Sequence, residues 1–406
     1  MLFNSAEFVV FLAVTLVGYW SMPWLGARRA LLILASLVFY AWWDYRFVAL
    51  LLYVTLVAYL AALGVARWPA HAKRIVGLSL LLQLGQLAVF KYTNFILSSV
   101  GDLAHLFGRQ LTPPQLGILL PIGVSFYTFH GISYVVDVYR KKLERPLSLP
   151  VVMLYIVFFP QLVAGPIVRA DVFIPQTERP ARLDTRDLTV ALKLICIGLI
   201  CKSVFADRIG PLVDNIFAEP AKFDNRSLVS AAFGFYSQIY FDFVGYSTMA
   251  IGLSRLYGFK LPRNFDYPYR STSITEFWRR WHISLSSWLR DYLYIPLGGN
   301  RKGRARTYAN LMATMLLGGL WHVASWKFVA WGGLHGAYLA FERAALGRWR
   351  WWNATHPAAQ LLRVLVTFHL TCLAWIFFRS HHFPHALAML ANLSHPSLAS
   401  FDVVAD

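Results

Sequence analysis

Long apolar stretches, separated by short polar turns, run along almost the whole chain. A stretch of about 20 apolar residues is long enough to cross the hydrocarbon core of a bilayer as an α-helix. Such stretches occupy residues 7–24, 30–46, 47–66, 75–97, 117–137, 150–168, 188–206, 228–256, 307–325, 327–345 and 361–378. Because several are short or interrupted by Pro and Gly, the pattern predicts an all-α polytopic membrane protein with about ten to twelve spans.

The composition agrees with a membrane protein. Of the 406 residues, 57% are hydrophobic and 14% are charged, whereas a typical soluble domain has about 25% charged residues. No Pro/Gly/Ser-rich linker or internal repeat divides the sequence, so residues 1–406 are predicted to form a single membrane domain. The first apolar stretch has no Lys or Arg before it, which indicates a retained span rather than a signal peptide.

The charge of the chain is strongly basic, with 38 Lys and Arg residues against 20 Asp and Glu residues and a formal net charge of +18. In a membrane protein such an excess is explained by cytoplasmic loops that retain Lys and Arg, so binding to nucleic acid is not expected. The loops after the first, third and fifth stretches contain Arg28, Arg29, Arg67, Lys73, Arg74, Arg140, Lys141, Lys142 and Arg145. Since the alternate loops have fewer charges, the N-terminus is predicted to lie outside the cytoplasm.

The alternation becomes less clear after residue 160. Four residues interrupt the apolar pattern there: Pro160, Gly165, Pro166 and Pro175. A broken helix at membrane depth is tolerated only where protein or a water-filled cavity surrounds it. This segment therefore indicates a structure other than a plain bundle of spans.

Residues 263–306 contain no clean span but are rich in Trp, Tyr and Arg. Nine basic residues against three acidic ones give this block a net charge of +6. After Thr275, a candidate N-cap, apolar residues recur at helical spacing with Arg and His between them. The pattern predicts one or two amphipathic helices in the cytoplasmic interface, ended by a turn at Gly298 and Gly299.

Two histidines have unusual settings. His282 lies inside this block, and His322 lies in LLGGLWHVASW, near the end of the next apolar stretch. An ionisable side chain inside such a stretch is costly and is a functional hypothesis by default. The alternatives are a neutral His322 hydrogen-bonded to a backbone carbonyl and a solvated His282 at the interface.

The depth of the two histidines follows from the predicted helices. If residues 307–325 form one helix, His322 lies 16 residues beyond Arg306, about 24 Å into the membrane. His282 stays at the cytoplasmic side. The sequence therefore predicts one histidine at each mouth of a passage.

The rest of the sequence contains no motif for a nucleotide, serine-hydrolase or metal site. The sequence contains no GK[ST] phosphate loop, no GxSxG and no HExxH, so neither an ATP-driven nor a serine-hydrolase function has motif support. His381, His382 and His385 form a cluster without a carboxylate or Cys, and metal binding is not expected there. The Gly pair at 318–319 indicates a close contact between helices.

Four segments of the sequence have a distinctive composition. They are PIGVSFYTFHGISYVVDVYR at 121–140, FFPQLVAGPIVRADVFIPQ at 158–176, the run from QIYFDFVGYS to IPLGGNR at 238–301, and GGLWHVASWKFVAWGGLHGAYLAFER at 318–343. These segments closely resemble the membrane-bound O-acyltransferase family, and within it the bacterial branch that acetylates alginate. The last two define an acyltransferase signature region, 238–343. The resemblance implies a bundle of tilted and broken helices around a funnel and a tunnel. It also implies that His322 and His282 are the two signature histidines of the family.

The resemblance implies a function as well. An acyl group, specifically acetyl, passes from a cytoplasmic thioester donor, acetyl-CoA or an acyl carrier protein, toward hydroxyls of an exported polysaccharide such as alginate. His322 is then the general base, and no tightly bound cofactor or metal is expected. Expected partners are membrane lipids, the donor, the polysaccharide and a periplasmic or membrane-anchored acetyltransferase, in the bacterial inner membrane. The candidate substrate-binding residues are Trp278, Arg279, Arg280, Trp281, Arg290, Asp291 and Trp321.

The sequence departs from the family pattern at three points. Val323 follows His322 where the family has Gly, and a β-branched side chain is expected to narrow the space beside the imidazole. His130 stands where similar members have Gln. The chain also ends soon after the FHLTCLAWIFFRS stretch, where relatives continue, so a C-terminal truncation is expected.

Two other functions remain open at this stage. A proton-coupled transporter also uses intramembrane histidines and broken helices, but it predicts inverted repeats between the halves of the chain. A non-catalytic scaffold of a polysaccharide export or acetylation complex is suggested by Val323 and by the short C-terminus.

Overall fold

The computed structural model describes residues 1–144, 146–182, 184–345 and 355–394. The regular structure of these residues is helical, without a strand, which confirms the predicted all-α class. Arg145, one of the basic loop residues, lies outside the described residues. The described chain forms two compact units, each built from two separate segments. The single membrane domain over residues 1–406 stays a prediction.

The first unit comprises Met1–Leu199 and Tyr246–Arg263. Its helices are α1 Ala6–Ser21, α2 Leu25–Asp44, α3 Val48–Arg67, α4 Ala72–Leu106, α5 Val124–Tyr139, α6 Leu149–Val157, α7 Phe159–Leu162, α8 Ala170–Thr177 and α9 Thr185–Leu199. Nearly every residue of α5 is buried, and this helix packs against α3 and α4. It starts after Gly123, whose φ of +73° and close approach to the Leu162 carbonyl favour glycine.

The second unit comprises Ile200–Gly245 and the described residues from Asn264 onward. Its helices are α10 Asp207–Ala218, the first part of α11 Asn225–Leu256, α12 Ile274–Arg280, α13 Ile283–Leu289, α14 Gly303–His322, α15 Trp326–Ala344, α16 Pro357–Arg379 and α17 Phe383–Ser394. Two π-helical turns, Ile200–Ala206 and Arg290–Tyr294, follow α9 and α13 respectively. The predicted turn is confirmed at Gly298 and Gly299, which both have positive φ.

Four helical stretches of the described chain are long and apolar enough to cross a membrane: Leu25–Arg67, Pro69–Leu106, Thr185–Ala218 and Pro357–Arg379. This number is smaller than the predicted ten to twelve spans. The predicted stretch at 150–168 is broken into α6 and α7, of nine and four residues. The first turn of α14 contains two charged residues, Arg304 and Arg306. The break near Pro160 is confirmed, and the residues around it are buried in protein.

Helices α14 and α15 form the antiparallel pair that positions His322. They approach so closely that a Cβ atom at Gly319 would lie 2.1 Å from the Phe328 carbonyl oxygen, and one at Gly332 would lie 2.3 Å from the Met315 carbonyl oxygen. Only glycine permits this separation. The close helix contact predicted at 318–319 is therefore confirmed.

Candidate active site

His282 lies at the joint between α12 and α13, where the backbone changes direction. Its φ and ψ are +43° and +55°, a left-handed conformation that non-glycine residues rarely adopt. Helix α12 is fixed at its own start, because the Ser273 hydroxyl accepts a hydrogen bond from the Glu276 N–H at 3.0 Å. The joint therefore presents the imidazole from a strained backbone between two short, fixed helices.

Asn264 holds this joint from the neighbouring segment. Its backbone carbonyl accepts a hydrogen bond from the Ile283 N–H at 2.9 Å, and its side-chain oxygen accepts one from the Ser284 N–H at 3.2 Å. The Asp266 N–H in turn donates to the Arg280 carbonyl at 3.0 Å. These bonds satisfy the backbone on both sides of His282 and stabilise its left-handed conformation.

The imidazole of His282 is buried, with 2% of the residue exposed. Its ring lies 4.6 Å from the ring of Phe243 on α11 and 6.4 Å from that of Trp321. Neither ring nitrogen has a hydrogen-bond partner among the described residues. The joint between α12 and α13 lies outside the helices that are long enough to span a membrane. Burial lowers the pKa of His282 well below its ordinary value, and the nearby His322 lowers it further.

His322 is the last residue of α14 and is partly buried. Its imidazole is surrounded by aromatic rings, with centroid distances of 4.9 Å to Trp321, 5.2 Å to Trp331 and 5.4 Å to Phe378. These rings come from α14, α15 and α16, so three helices fix the position of the imidazole. A neutral imidazole held in this position can accept a proton.

The predicted separation of the two histidines is wrong. His282 and His322 both lie beside the indole of Trp321 and interact electrostatically, so they form one site rather than two mouths of a passage. The prediction assumed that residues 263–306 stay at the membrane surface. In the structure the apolar face of α12 and α13, including Phe277, Trp281 and Leu285, is buried in the protein. Because this face packs against the protein, His282 is buried as well.

The candidate substrate-binding residues have different surroundings. Trp321 contacts both histidines, and Trp278 lies against Trp331. Trp281 is buried in an aromatic cluster with Phe265, Phe277 and Trp375. Arg279 and Arg290 are exposed.

Three charged members of this set, Arg280, Arg290 and Asp291, have protein partners. The guanidinium of Arg280 donates to Glu276 at 2.7 Å and to the Asp266 carbonyl at 3.1 Å, which fits a positioning role. Arg290 donates to Asp291 at 2.7 Å. Partial burial raises the pKa of Glu276, but hydrogen bonds from Thr272 and Arg280 lower it below its ordinary value overall, so the carboxylate stays ionised for this pair.

The two residues that depart from the family pattern lie in different units. Val323 follows the end of α14 with extended backbone (φ −144°) and is 46% exposed. His130 lies on α5 in the first unit, fully buried, with its ring 5.3 Å from that of Tyr155. An extended conformation does not require glycine at 323, which explains how the chain accommodates valine there.

Sequence reasoning missed three residues of the site. Asn264 holds the backbone of His282, and Trp331 packs against His322. The carboxylate of Glu342 accepts hydrogen bonds from the Ile274 and Thr275 N–H groups at 2.7 and 3.1 Å, which stabilises the start of α12. The side chains of Asn264 and Glu342 act on residues 20 or more positions away in the sequence, and Trp331 acts from the helix after His322. No local pattern marks any of the three.

The arrangement suits proton transfer in a water-poor, aromatic setting. In the described ranges no group of three His, Cys, Asp or Glu side chains could hold a metal ion. Two imidazoles beside one indole can accept a proton from a hydroxyl and return it to a leaving group.

Comparison with known proteins gives one consistent result. The family model "MBOAT, membrane-bound O-acyltransferase family" matches residues 34–380. The chain is 41% identical to the probable alginate O-acetylase AlgI of Pseudomonas aeruginosa, over 96% of this chain and 74% of that protein. It is 35% identical to a peptidoglycan O-acetyltransferase of Helicobacter pylori, over 97% of this chain and 80% of that protein. It is 28% identical to a teichoic acid D-alanyltransferase of Bacillus subtilis, over 67% of this chain and 72% of that protein.

Proposed function

Because the chain belongs to the membrane-bound O-acyltransferase family and is an O-acyltransferase, we propose that it passes an acetyl group from a thioester donor to hydroxyls of an exported polysaccharide such as alginate. The names of its relatives support this substrate class, since they act on alginate, peptidoglycan and teichoic acid. The proposal includes a location in the bacterial inner membrane and a periplasmic or membrane-anchored acetyltransferase as partner. Acetyl-CoA or an acyl carrier protein supplies the acyl group from the cytoplasm.

The proposal assigns the role of general base to His322. Its neutral imidazole takes the proton of the acceptor hydroxyl while the oxygen attacks the thioester carbonyl carbon. The carbon–sulfur bond then breaks, and the imidazolium returns the proton to the leaving thiolate. The observation that carries this assignment is the convergence of His322 and His282 on Trp321 in one aromatic site.

The exposed basic residues before and at the start of α14 have a role in donor binding under this proposal. Arg301, Lys302, Arg304 and Arg306 are exposed, close in sequence to the start of α14. A cluster of positive charge attracts a donor that carries phosphate groups and raises its local concentration. Arg279, exposed at the end of α12, contributes to the same field.

The test is the acetyl content of the exported polysaccharide in cells that express His322→Ala at the wild-type level. Removal of a general base is expected to lower the rate by about 10²–10⁴-fold. His369→Ala is the matched control, because His369 is an exposed histidine on α16 and its loss should leave the rate unchanged.

Other outcomes of this experiment separate the alternative functions. Wild-type acetylation in His322→Ala cells would exclude the general-base assignment and favour a scaffold. Transport of substrate without consumption of thioester in reconstituted vesicles would favour a transporter. Mass analysis of the glycan with and without the protein identifies the acceptor polymer.

A further inference from the structure

A third histidine, His335, lies on α15 within a separate group of aromatic side chains. It is fully buried, with 0% exposure. Its ring lies 5.0 Å from the rings of Trp278 and Trp331, and 5.9 Å from that of Tyr338. The fourth neighbour is Phe277, whose ring stacks on the imidazole at 6.1 Å and 6°. We refer to His335, Trp278, Trp331 and Tyr338 as the His335 cluster.

The polar atoms of this cluster lack protein partners. Both ring nitrogens of His335, the indole nitrogens of Trp278 and Trp331, and the hydroxyl of Tyr338 are buried without a hydrogen bond to any described residue. Buried polar atoms are nearly always hydrogen-bonded in folded proteins, because an unmade bond is costly. Five such atoms on four neighbouring side chains therefore indicate a bound polar group.

The cluster adjoins the candidate active site through one side chain. The indole of Trp331 lies 5.2 Å from the imidazole of His322, nearly perpendicular to it, and 5.0 Å from that of His335. Trp331 and His335 are one helical turn apart on α15, so both face the same side of that helix. A group bound by His335 is thus separated from His322 by a single side chain, the indole of Trp331.

The chemistry of the cluster defines what it binds. The two indoles can only donate hydrogen bonds, whereas the phenol and the neutral imidazole can donate and accept. No member of the cluster has a full charge at neutral pH when the imidazole is unprotonated. The two indole N–H groups need an acceptor, which a cation does not offer, and an anion would be poorly compensated there. An uncharged oxygen is therefore the best match.

We propose that the His335 cluster is a second polar site of the acyltransferase, which binds an uncharged oxygen beside His322. The oxygen belongs either to a carbonyl of the acyl donor or to an ordered water molecule. Both sources need the same hydrogen-bond donors. The inference relies on the proposed acyl transfer for its readout, but not on the role of His322 in it.

The experiment measures acetyl-CoA consumption by the full-length chain in membranes, as a function of acetyl-CoA concentration. His335→Phe keeps an aromatic ring and removes both nitrogens, and His335→Gln keeps a donor and an acceptor. Tyr338→Phe removes a single oxygen, and it tests the proposal by itself if His335→Phe fails to fold. Tyr308→Phe on α14 is the matched control, because Tyr308 is not a member of the cluster.

His335→Phe is expected to lower kcat/KM by about tenfold, and Tyr338→Phe by about threefold, the size of a lost hydrogen bond to an uncharged partner. His335→Gln should recover most of the activity. A rise in KM for acetyl-CoA at constant kcat identifies a donor carbonyl, whereas a fall in kcat at constant KM identifies water. Wild-type kinetics in both His335→Phe and Tyr338→Phe would overturn the proposal.

The proposed function is tested separately in the same assay. Retained activity in His322→Ala would contradict the general-base role, whatever the His335 variants do. Loss of activity in His322→Ala together with wild-type kinetics in the His335 variants would contradict only the second site.

Discussion

At the scale of single residues, the conformation of His282 connects backbone strain to function. A left-handed conformation costs a non-glycine residue about 1–3 kcal/mol. The hydrogen bonds from Ile283 and Ser284 to Asn264 offset this cost. Under the proposed function Asn264 is a positioning residue, since it acts through the backbone on either side of His282.

Asn264→Ala removes the side-chain oxygen that accepts the Ser284 N–H. We expect a loss of about 1–3 kcal/mol in the free energy of unfolding, because a buried donor loses an acceptor, and a fall in acyl transfer as the joint relaxes. Thermal unfolding in detergent and the rate of thioester consumption measure the two effects. Unchanged values of both would show that the joint does not depend on this side chain.

His282→Gly is the companion variant, because glycine adopts a positive φ without strain. Compared with His282→Ala, it should unfold at a higher temperature, since both variants lose the buried ring and only glycine relieves the backbone strain. Acyl transfer should fall in both variants. Wild-type transfer in both would mean that the His282 ring has only a packing role.

At the scale of elements, the bounds of α14, α15 and α16 agree with the predicted stretches, whereas the placement of one block does not. The stretches at 307–325, 327–345 and 361–378 correspond to α14, α15 and α16 within a few residues, because apolar length is a local property. The depth of α12 and α13 depends on which helices cover their apolar face. That face looks the same in sequence whether lipid or protein covers it.

The contact between α14 and α15 makes a specific prediction about glycine. Gly319→Ala places a methyl group against the Phe328 carbonyl, so the helices must separate and His322 must move. We expect a lower unfolding temperature and at least a tenfold loss of acyl transfer, because a misplacement of about 1 Å can cost 10²-fold.

The matched control is Gly333→Ala on the same pair of helices. A Cβ atom there would lie 3.5 Å from the Leu316 side chain, an ordinary van der Waals contact. This variant should keep wild-type stability and rate. Equal effects of the two substitutions would contradict the steric explanation.

At the scale of the whole molecule, the sequence was sufficient for the class and the family of the protein. Composition and apolar periodicity predicted an all-α membrane protein, and the motifs around His282 and His322 predicted an O-acyltransferase; the family match confirms both. The division into two units could not be predicted. Two of their three borders, at residues 199–200 and 245–246, fall inside continuous helical stretches, where composition does not change.

The orientation in the membrane stays a prediction and can be measured with single cysteines. In a variant without Cys196, Cys201 and Cys372, the exposed residues Lys73 and Arg109, at opposite ends of α4, are replaced one at a time by cysteine. If the N-terminus is outside the cytoplasm, an impermeant maleimide labels Arg109→Cys in intact spheroplasts and Lys73→Cys only after lysis. The reversed pattern would invert the topology.

The interleaving of the two units along the chain has a consequence for biosynthesis. The first unit is complete only when residues 246–263 have left the ribosome, and residues 200–245 of the second unit are by then already made. The second unit must wait for α14, α15 and α16 before His322 joins His282. Until that moment the nascent chain holds His282 without His322, so the two imidazoles share one site only after α14, α15 and α16 have been made.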